Sequence, residues 1–114
     1  MVLIMTANEN FDYIQNEITN NDIVLFIKGT ADFPECGFSS VVVSIFKKLG
    51  VPFKDINILT SADLRQAIKD FSNWPTIPQI YIKGEFIGGC DIIREMYDTN
   101  ELATLLKAKN ILSS

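Results

Sequence analysis

The five apolar residues Ile23-Val-Leu-Phe-Ile27 constrain this chain more than any other stretch. A short apolar run bounded by polar residues reads as a buried strand, and the segments on either side of it must pack back over it. From Gly37 to Leu49 the chain is apolar enough for either a strand or a helix. Three consecutive valines, Val41 to Val43, favour a strand. The length, the pair Lys47-Lys48 and the terminal Gly50 favour a helix closed by a glycine C-cap, and a helix is the reading adopted. Residues 52–58 then read as a second short strand. A strand, a crossover helix and a strand make a β-α-β unit whose strands run parallel.

The remaining segments fit around that unit. Thr6-Ala-Asn-Glu9 has the form of a capping box, and Phe11, Ile14 and Ile18 recur at helical spacing, so a helix is expected over 7–20. Thr60-Ser-Ala-Asp63 caps a further helix with Leu64, Ala67, Ile68 and Phe71 on one face. Asn73-Trp-Pro-Thr-Ile-Pro78 is a rigid turn. Gln79 to Ile82 and Glu85 to Ile87, separated by Lys83-Gly84, form a β-hairpin. Gly88-Gly89 ends it and opens a helix at Cys90, and a last helix from about Asn100 buries Leu102, Leu105 and Leu106. The expected order is αβαβαββαα, one α/β layered domain over residues 1–114 with no internal repeat or linker.

Composition removes several function classes. The net charge is −4 and the ten basic residues form no stripe, which argues against nucleic acid as a partner. No apolar run approaches the ~20 residues of a membrane span. The start, Met-Val-Leu-Ile-Met-Thr, is too short for a secretory signal and lacks the Arg-rich character of a transit peptide, so a soluble chain is expected. Two cysteines and no histidine supply neither a disulfide framework nor a four-ligand zinc site within one chain. They also exclude a Cys–His nucleophile pair.

The chemistry that remains centres on Cys36. It lies in a strand-to-helix turn, where unpaired backbone N–H groups and the positive end of a helix dipole converge. That setting stabilises a thiolate, the form that acts as nucleophile and as metal ligand. A C-x-x-C redox motif would need a second cysteine at position 39, where this chain has Ser39. The bond partner of Cys36 must therefore come from outside the loop. For Cys90 the context does not displace the ordinary reading of a lone cysteine, a small packed residue.

Four blocks together, Lys28-Gly-Thr30, Cys36-Gly-Phe-Ser39, Trp74-Pro-Thr-Ile-Pro-Gln79 and Gly88-Gly-Cys-Asp91, resemble the monothiol glutaredoxins of the CGFS type over nearly the whole chain. The resemblance implies a thioredoxin-like fold with a central four-stranded mixed sheet flanked by helices. It implies glutathione binding and a [2Fe–2S] cluster bridging two subunits, delivered in iron–sulfur protein biogenesis. The implied partners are a second copy when the cluster is bound, BolA-type proteins and recipient iron–sulfur apoproteins. The location it implies is the cytoplasm of a bacterium, or the mitochondrial matrix for a mature eukaryotic form.

Carried over by position, the resemblance makes Cys36 the iron-ligating and redox-active thiolate. Lys28 and Arg65 take the glycine carboxylate of glutathione, and Thr76 and Ile77 pair with its backbone ahead of Pro78, which is implied to be cis. Gly89, Cys90 and Asp91 hold the γ-glutamyl end. Some relatives carry an aromatic residue at the position of Ile77. Residue chemistry agrees with parts of this. Arginine can pair a carboxylate bidentately, and a Gly-Gly turn before a helix start suits an anion. Asp91 suits either a helix cap or an ammonium partner. Phe38 reads as exposed at a dimer or partner surface, or as core, and Trp74 as a packing residue. Counting ligands, a [2Fe–2S] centre needs four thiolates. Two copies of Cys36 and two glutathiones supply them, with Cys90 as the lesser alternative ligand. The competing function is a glutathione-dependent thiol–disulfide oxidoreductase in which Cys36 attacks a mixed disulfide.

Overall fold

The computed structural model describes residues 7–113, so the cap expected at Thr6 lies outside the described residues. The order is α1 (Ala7–Asn20), β1 (Ile23–Ile27), α2 (Gly37–Leu49), β2 (Lys54–Asn57), α3 (Ala62–Ser72), β3 (Gln79–Ile82), β4 (Glu85–Gly88), α4 (Cys90–Asp98) and α5 (Glu101–Ala108). The strands form one mixed sheet in the order β2-β1-β3-β4. β1 runs parallel to β2 and antiparallel to β3, and β3 pairs antiparallel with β4.

Strand alternation divides the core into two layers. Ile23, Leu25 and Ile27 of β1, with Ile80 and Ile82 of β3, pack beneath α2, α4 and α5 through Val42, Phe46, Ile93, Leu102 and Leu106. Val24, Phe26 and Tyr81 point the other way, against Ile14 and Ile18 of α1 and Leu64, Ala67 and Ile68 of α3. All five residues of β1 are therefore buried, as a strand covered on both faces requires.

The same energetics settle the valine-rich segment as helix. Valine costs at most ~0.7 kcal/mol per residue in a helix relative to alanine, whereas burying each such side chain contributes roughly 1.5–3 kcal/mol. Val42, Val43, Ile45 and Phe46 are all buried on α2. Parallel β1 and β2 also need a long crossover, which the 13 residues of α2 provide. Gly50 closes the helix with its N–H donating to the Lys47 carbonyl.

Four expectations are corrected in detail. β2 occupies only Lys54–Asn57 rather than 52–58. Pro52 has no N–H for a ladder, and the Asn57 side chain accepts from Leu59 N–H, turning the chain into a single 3-10 turn over Ile58–Thr60. Ser61, next to Thr60, caps α3, its hydroxyl accepting from Leu64 N–H at 3.2 Å. β4 extends one residue further than expected, because Gly88 pairs with Ile80. Leu105 is half-buried, unlike Leu102 and Leu106. The hairpin turn has positive φ at both Lys83 and Gly84, the type I′ geometry that matches strand twist.

Candidate functional site

A groove of about 520 Å³ opens beyond the carboxyl end of β1, the place where open α/β sheets bind ligands. Its walls come from both faces of the sheet. Lys28 follows β1, Cys36 and Phe38 stand at the start of α2, and Arg65 projects from α3. The opposite wall is the segment Thr76-Ile77-Pro78, and Gly89, Cys90 and Asp91 close the groove at the start of α4. All ten residues singled out from the sequence thus line one cavity.

Cys36 is the N-cap residue of α2, with extended backbone (φ −149°, ψ 136°). Its sulfur is partly exposed. The backbone N–H of Ser39 does most to hold the thiol below its ordinary value of 9.0, against the opposing effect of partial burial. The Phe38 N–H, the Lys28 ammonium and the Ser39 hydroxyl add to the lowering. These N–H groups turn toward the sulfur without closing to full capping hydrogen bonds. Field and orientation at the helix start therefore supply the effect.

Ser39 has a second task that the sequence reading missed. Its fully buried hydroxyl oxygen accepts from the backbone N–H of Lys28 at 3.1 Å. That leaves the hydroxyl proton free for the Cys36 sulfur. The only signal in the sequence was the spacing, three residues after Cys36 and one helical turn along. The loop between Lys28 and Cys36 is also internally bonded. Thr30 N–H donates to the Phe33 carbonyl and Glu35 N–H to the Lys28 carbonyl at 2.9 Å. Gly29 stands at φ +90°, and a Cβ there would lie 2.5 Å from the Phe33 oxygen, so only glycine fits.

Cys90 differs in kind. It is the first residue of α4, buried, and burial pushes its thiol above 9.0, with Arg94 opposing and the charges of Asp91 and Cys36 adding. One groove thus holds one sulfur biased to the thiolate and one biased to the thiol. Gly89, not Asp91, is the N-cap of α4. Asp91 sits exposed in the first turn, its Oδ1 accepting from Arg94 at 3.2 Å. At such exposure that pair contributes little, so the carboxylate stays available to a ligand.

The Ile77–Pro78 peptide is cis, as the resemblance implies. Behind it stands Gln79, wholly buried, whose Nε2 donates to the carbonyls of Trp74 (3.2 Å) and Thr76 (3.3 Å). This polar residue at the head of an apolar strand fastens the Trp74–Thr76 wall, a role that sequence reasoning did not assign. Trp74 does pack, its ring 5.9 Å from that of Phe86, but it is also 38% exposed and lines the groove. Lys69 joins Arg65 there at i+4 on the same face of α3, a spacing legible in the sequence. Phe38 is 60% exposed, which decides its two readings in favour of surface.

Chemically, the groove presents three cations, Lys28, Arg65 and Lys69, on a chain of net charge −4. It adds one carboxylate, Asp91, and a nucleophilic sulfur at its edge. Among the described residues no group of three or more His, Cys, Asp or Glu side chains is placed to hold a metal ion. No helix among them is long and apolar enough to cross a membrane.

Residues 23–87 match the family described as Glutaredoxin. Over 104 residues the chain is 58% identical to a protein of Rickettsia conorii named probable monothiol glutaredoxin 2, covering 91% of this chain and 97% of that one. A monomeric truncated mutant of Trypanosoma brucei 1-C-Grx1 superposes with a TM-score of 0.80 at 34% identity, covering 96% of both chains. Reduced apo GrxS14 of poplar does so with a TM-score of 0.76 at 49% identity, covering 85% of this chain and 89% of that one.

Proposed function

The chain belongs to the glutaredoxin family, in its monothiol branch and with its thioredoxin-like fold, and from this we propose that its groove binds glutathione and that Cys36 shares a [2Fe–2S] cluster with a second copy. Glutathione is a peptide with two carboxylates and one ammonium. The cations Lys28, Arg65 and Lys69 suit its glycine carboxylate. The edge of Thr76 and Ile77, without a neighbouring strand among the described residues, suits its extended backbone. The turn Gly88-Gly89 and the N-terminus of α4 suit the γ-glutamyl carboxylate, and Asp91 suits the ammonium.

The observation that carries the cluster reading is the inequality of the two sulfurs. Cys36 is partly exposed and thiolate-biased, whereas Cys90 is buried and thiol-biased. Each chain then offers one ready ligand, and four thiolates are needed. Two copies of Cys36 and two bound glutathiones make up the set. The cluster is cargo in this reading, passed on to iron–sulfur apoproteins. Exposed Phe38, beside Cys36, is surface on which a second copy or a BolA-type protein would rest.

The lowered thiol also favours a second reading, glutathione-dependent disulfide exchange. Cys36 thiolate attacks the glutathione sulfur of a mixed disulfide and the substrate thiolate leaves. A second glutathione thiolate then attacks the Cys36-bound sulfur, releasing Cys36 thiolate and glutathione disulfide.

Anaerobic reconstitution with iron and sulfide, with and without glutathione, separates the two. A glutathione-dependent visible chromophore in a species of twice the monomer mass supports the shared cluster. A colourless monomer that efficiently reduces glutathionylated substrates overturns it in favour of exchange.

A further inference from the structure

Asn57 lies at the end of β2 and is not one of the groove's lining residues, yet its side chain joins the segments that lead into two of the groove's walls. Its Oδ1 accepts from Gly29 N–H at 3.0 Å and from Leu59 N–H at 3.0 Å. The second bond is an ordinary turn-capping contact two residues along. The first reaches across 28 residues to the corner that carries Lys28. β1–β2 pairing sets Asn57 opposite Ile27, so the oxygen meets the chain just as it leaves β1. Two residues earlier on the same strand face, Asp55 Oδ2 accepts from Ala31 N–H at 2.8 Å. The Cys36 loop is thus tied to β2 at alternate residues.

The consequence is geometric. On one side, Lys28 is fixed to the Cys36 helix through the Ser39 hydroxyl. On the other, Leu59 belongs to the 3-10 turn that leads through the Ser61 cap into α3, where Arg65 N–H donates to the Ser61 carbonyl. One oxygen atom therefore links the backbone bearing Lys28 to the backbone bearing Arg65. We propose that Asn57 is a positioning residue of the groove, which fixes the separation of Lys28 and Arg65 and so the charge pair that a ligand carboxylate meets beside Cys36. That the carboxylate belongs to glutathione rests on the function proposed above; the positioning itself does not.

The test uses carboxylate probes that do not depend on that reading. The rate of Cys36 alkylation by iodoacetate, an anion, is compared with that by neutral iodoacetamide, with the modified cysteine located by peptide mass. In the unaltered protein the paired cations favour the anionic reagent. In Asn57→Leu, of similar size but without the acceptor, the ratio of the two rates falls severalfold at a temperature where the variant is folded. Glutathione affinity, followed through the fluorescence of Trp74, falls about tenfold, the scale of one lost hydrogen bond. The ultraviolet thiolate absorbance of Cys36 largely persists, because the first cause of its lowered thiol is the Ser39 N–H within α2 and the Lys28 charge is a lesser one. An unchanged rate ratio in folded Asn57→Leu overturns the proposal. So does a variant that loses the Cys36 thiolate absorbance altogether along with the rate preference, which marks general damage to the loop. A normal fall in the ratio without any glutathione binding by the unaltered protein upholds the positioning and sinks the ligand assignment. Should Asn57→Leu not fold, amide hydrogen exchange on the unaltered protein decides. Gly29 and Leu59 N–H must both be protected, and fast exchange at Gly29 overturns the link.

Discussion

Replacing Ser39 by alanine removes one oxygen atom that has two tasks. The hydroxyl is fully buried and is the acceptor for Lys28 N–H at 3.1 Å. Alanine leaves that N–H without its partner in a partly buried place, at a cost of about 1–3 kcal/mol. The chain should still fold, since domains of this kind have about 5–15 kcal/mol of stability. The melting midpoint should drop by roughly 4–12 °C for a chain of this length. The second effect is on Cys36. The Ser39 hydroxyl is among the causes that lower its thiol, but the Ser39 and Phe38 N–H groups and the Lys28 charge remain. The alkylation pH profile should therefore move upward without reaching the ordinary value of 9.0. A thiol lowered in the folded state adds stability that is complete above the unfolded value and fades as pH falls through the folded one. Ser39→Ala loses part of that addition, so its deficit against the unaltered protein should be larger above the thiol range than below it. Urea unfolding at two pH values and iodoacetamide kinetics across pH measure both. An unchanged alkylation profile with equal deficits at the two pH values would refute the hydroxyl-to-sulfur bond.

Gly29→Ala places a methyl 2.5 Å from the Phe33 oxygen and 2.6 Å from the Glu35 nitrogen, both backbone atoms, at φ +90°. It should lower stability by at least about 2 kcal/mol, read by thermal melting, and an unperturbed midpoint would show that the loop can open at no cost. Lys28→Gln with Arg65→Gln should weaken glutathione binding and flatten its dependence on ionic strength, measured by calorimetry at two salt concentrations; binding that stays equally salt-sensitive would move the carboxylate contact elsewhere. Cys36→Ser should abolish cluster reconstitution with the circular-dichroism spectrum unchanged, whereas Cys90→Ser should retain the chromophore. Complete loss in Cys90→Ser would give each chain two ligands.

The elements were legible wherever periodicity and end signals agreed. α1 ends where the Asn20-Asn21-Asp22 break places it, and the hairpin turn is where Lys83-Gly84 puts it. β2 is shorter than its pattern suggests because Phe53 extends the apolar run although Pro52 beside it has no N–H for a ladder, while the side chain of Asn57 that ends the strand acts through hydrogen bonds invisible in a one-dimensional pattern. The same holds in the groove. Cys36 was found because its strand-to-helix setting marks it, and Lys28, Arg65 and Asp91 through the resemblance, whereas Lys69 was passed over. Ser39, Gln79 and Asn57 were not found, because each works by satisfying backbone groups brought near only by the fold. Buried carboxamides and hydroxyls must find partners, but the sequence does not say which.

The two cysteines make the limit of sequence reading concrete. Both stand at a helix start, Cys36 as the N-cap of α2 and Cys90 as the first residue of α4. By the dipole argument alone, both thiols should be lowered. Only Cys36 is. At Cys90 burial is the largest cause and raises the thiol, the neighbouring Asp91 carboxylate works in the same direction, and Arg94 opposes them without prevailing. Desolvation of the ionised form outweighs the helix N-terminus once the sulfur joins the apolar cluster of Ile27, Val42 and Ile93. The position of α4 against the sheet therefore decides which sulfur of the groove is reactive. Gly88, where a Cβ would lie 2.8 Å from Ile92 Cδ1 and 3.0 Å from Ile92 Cβ, is a point at which the small residue lets the first turn of α4 lie close against the end of β4.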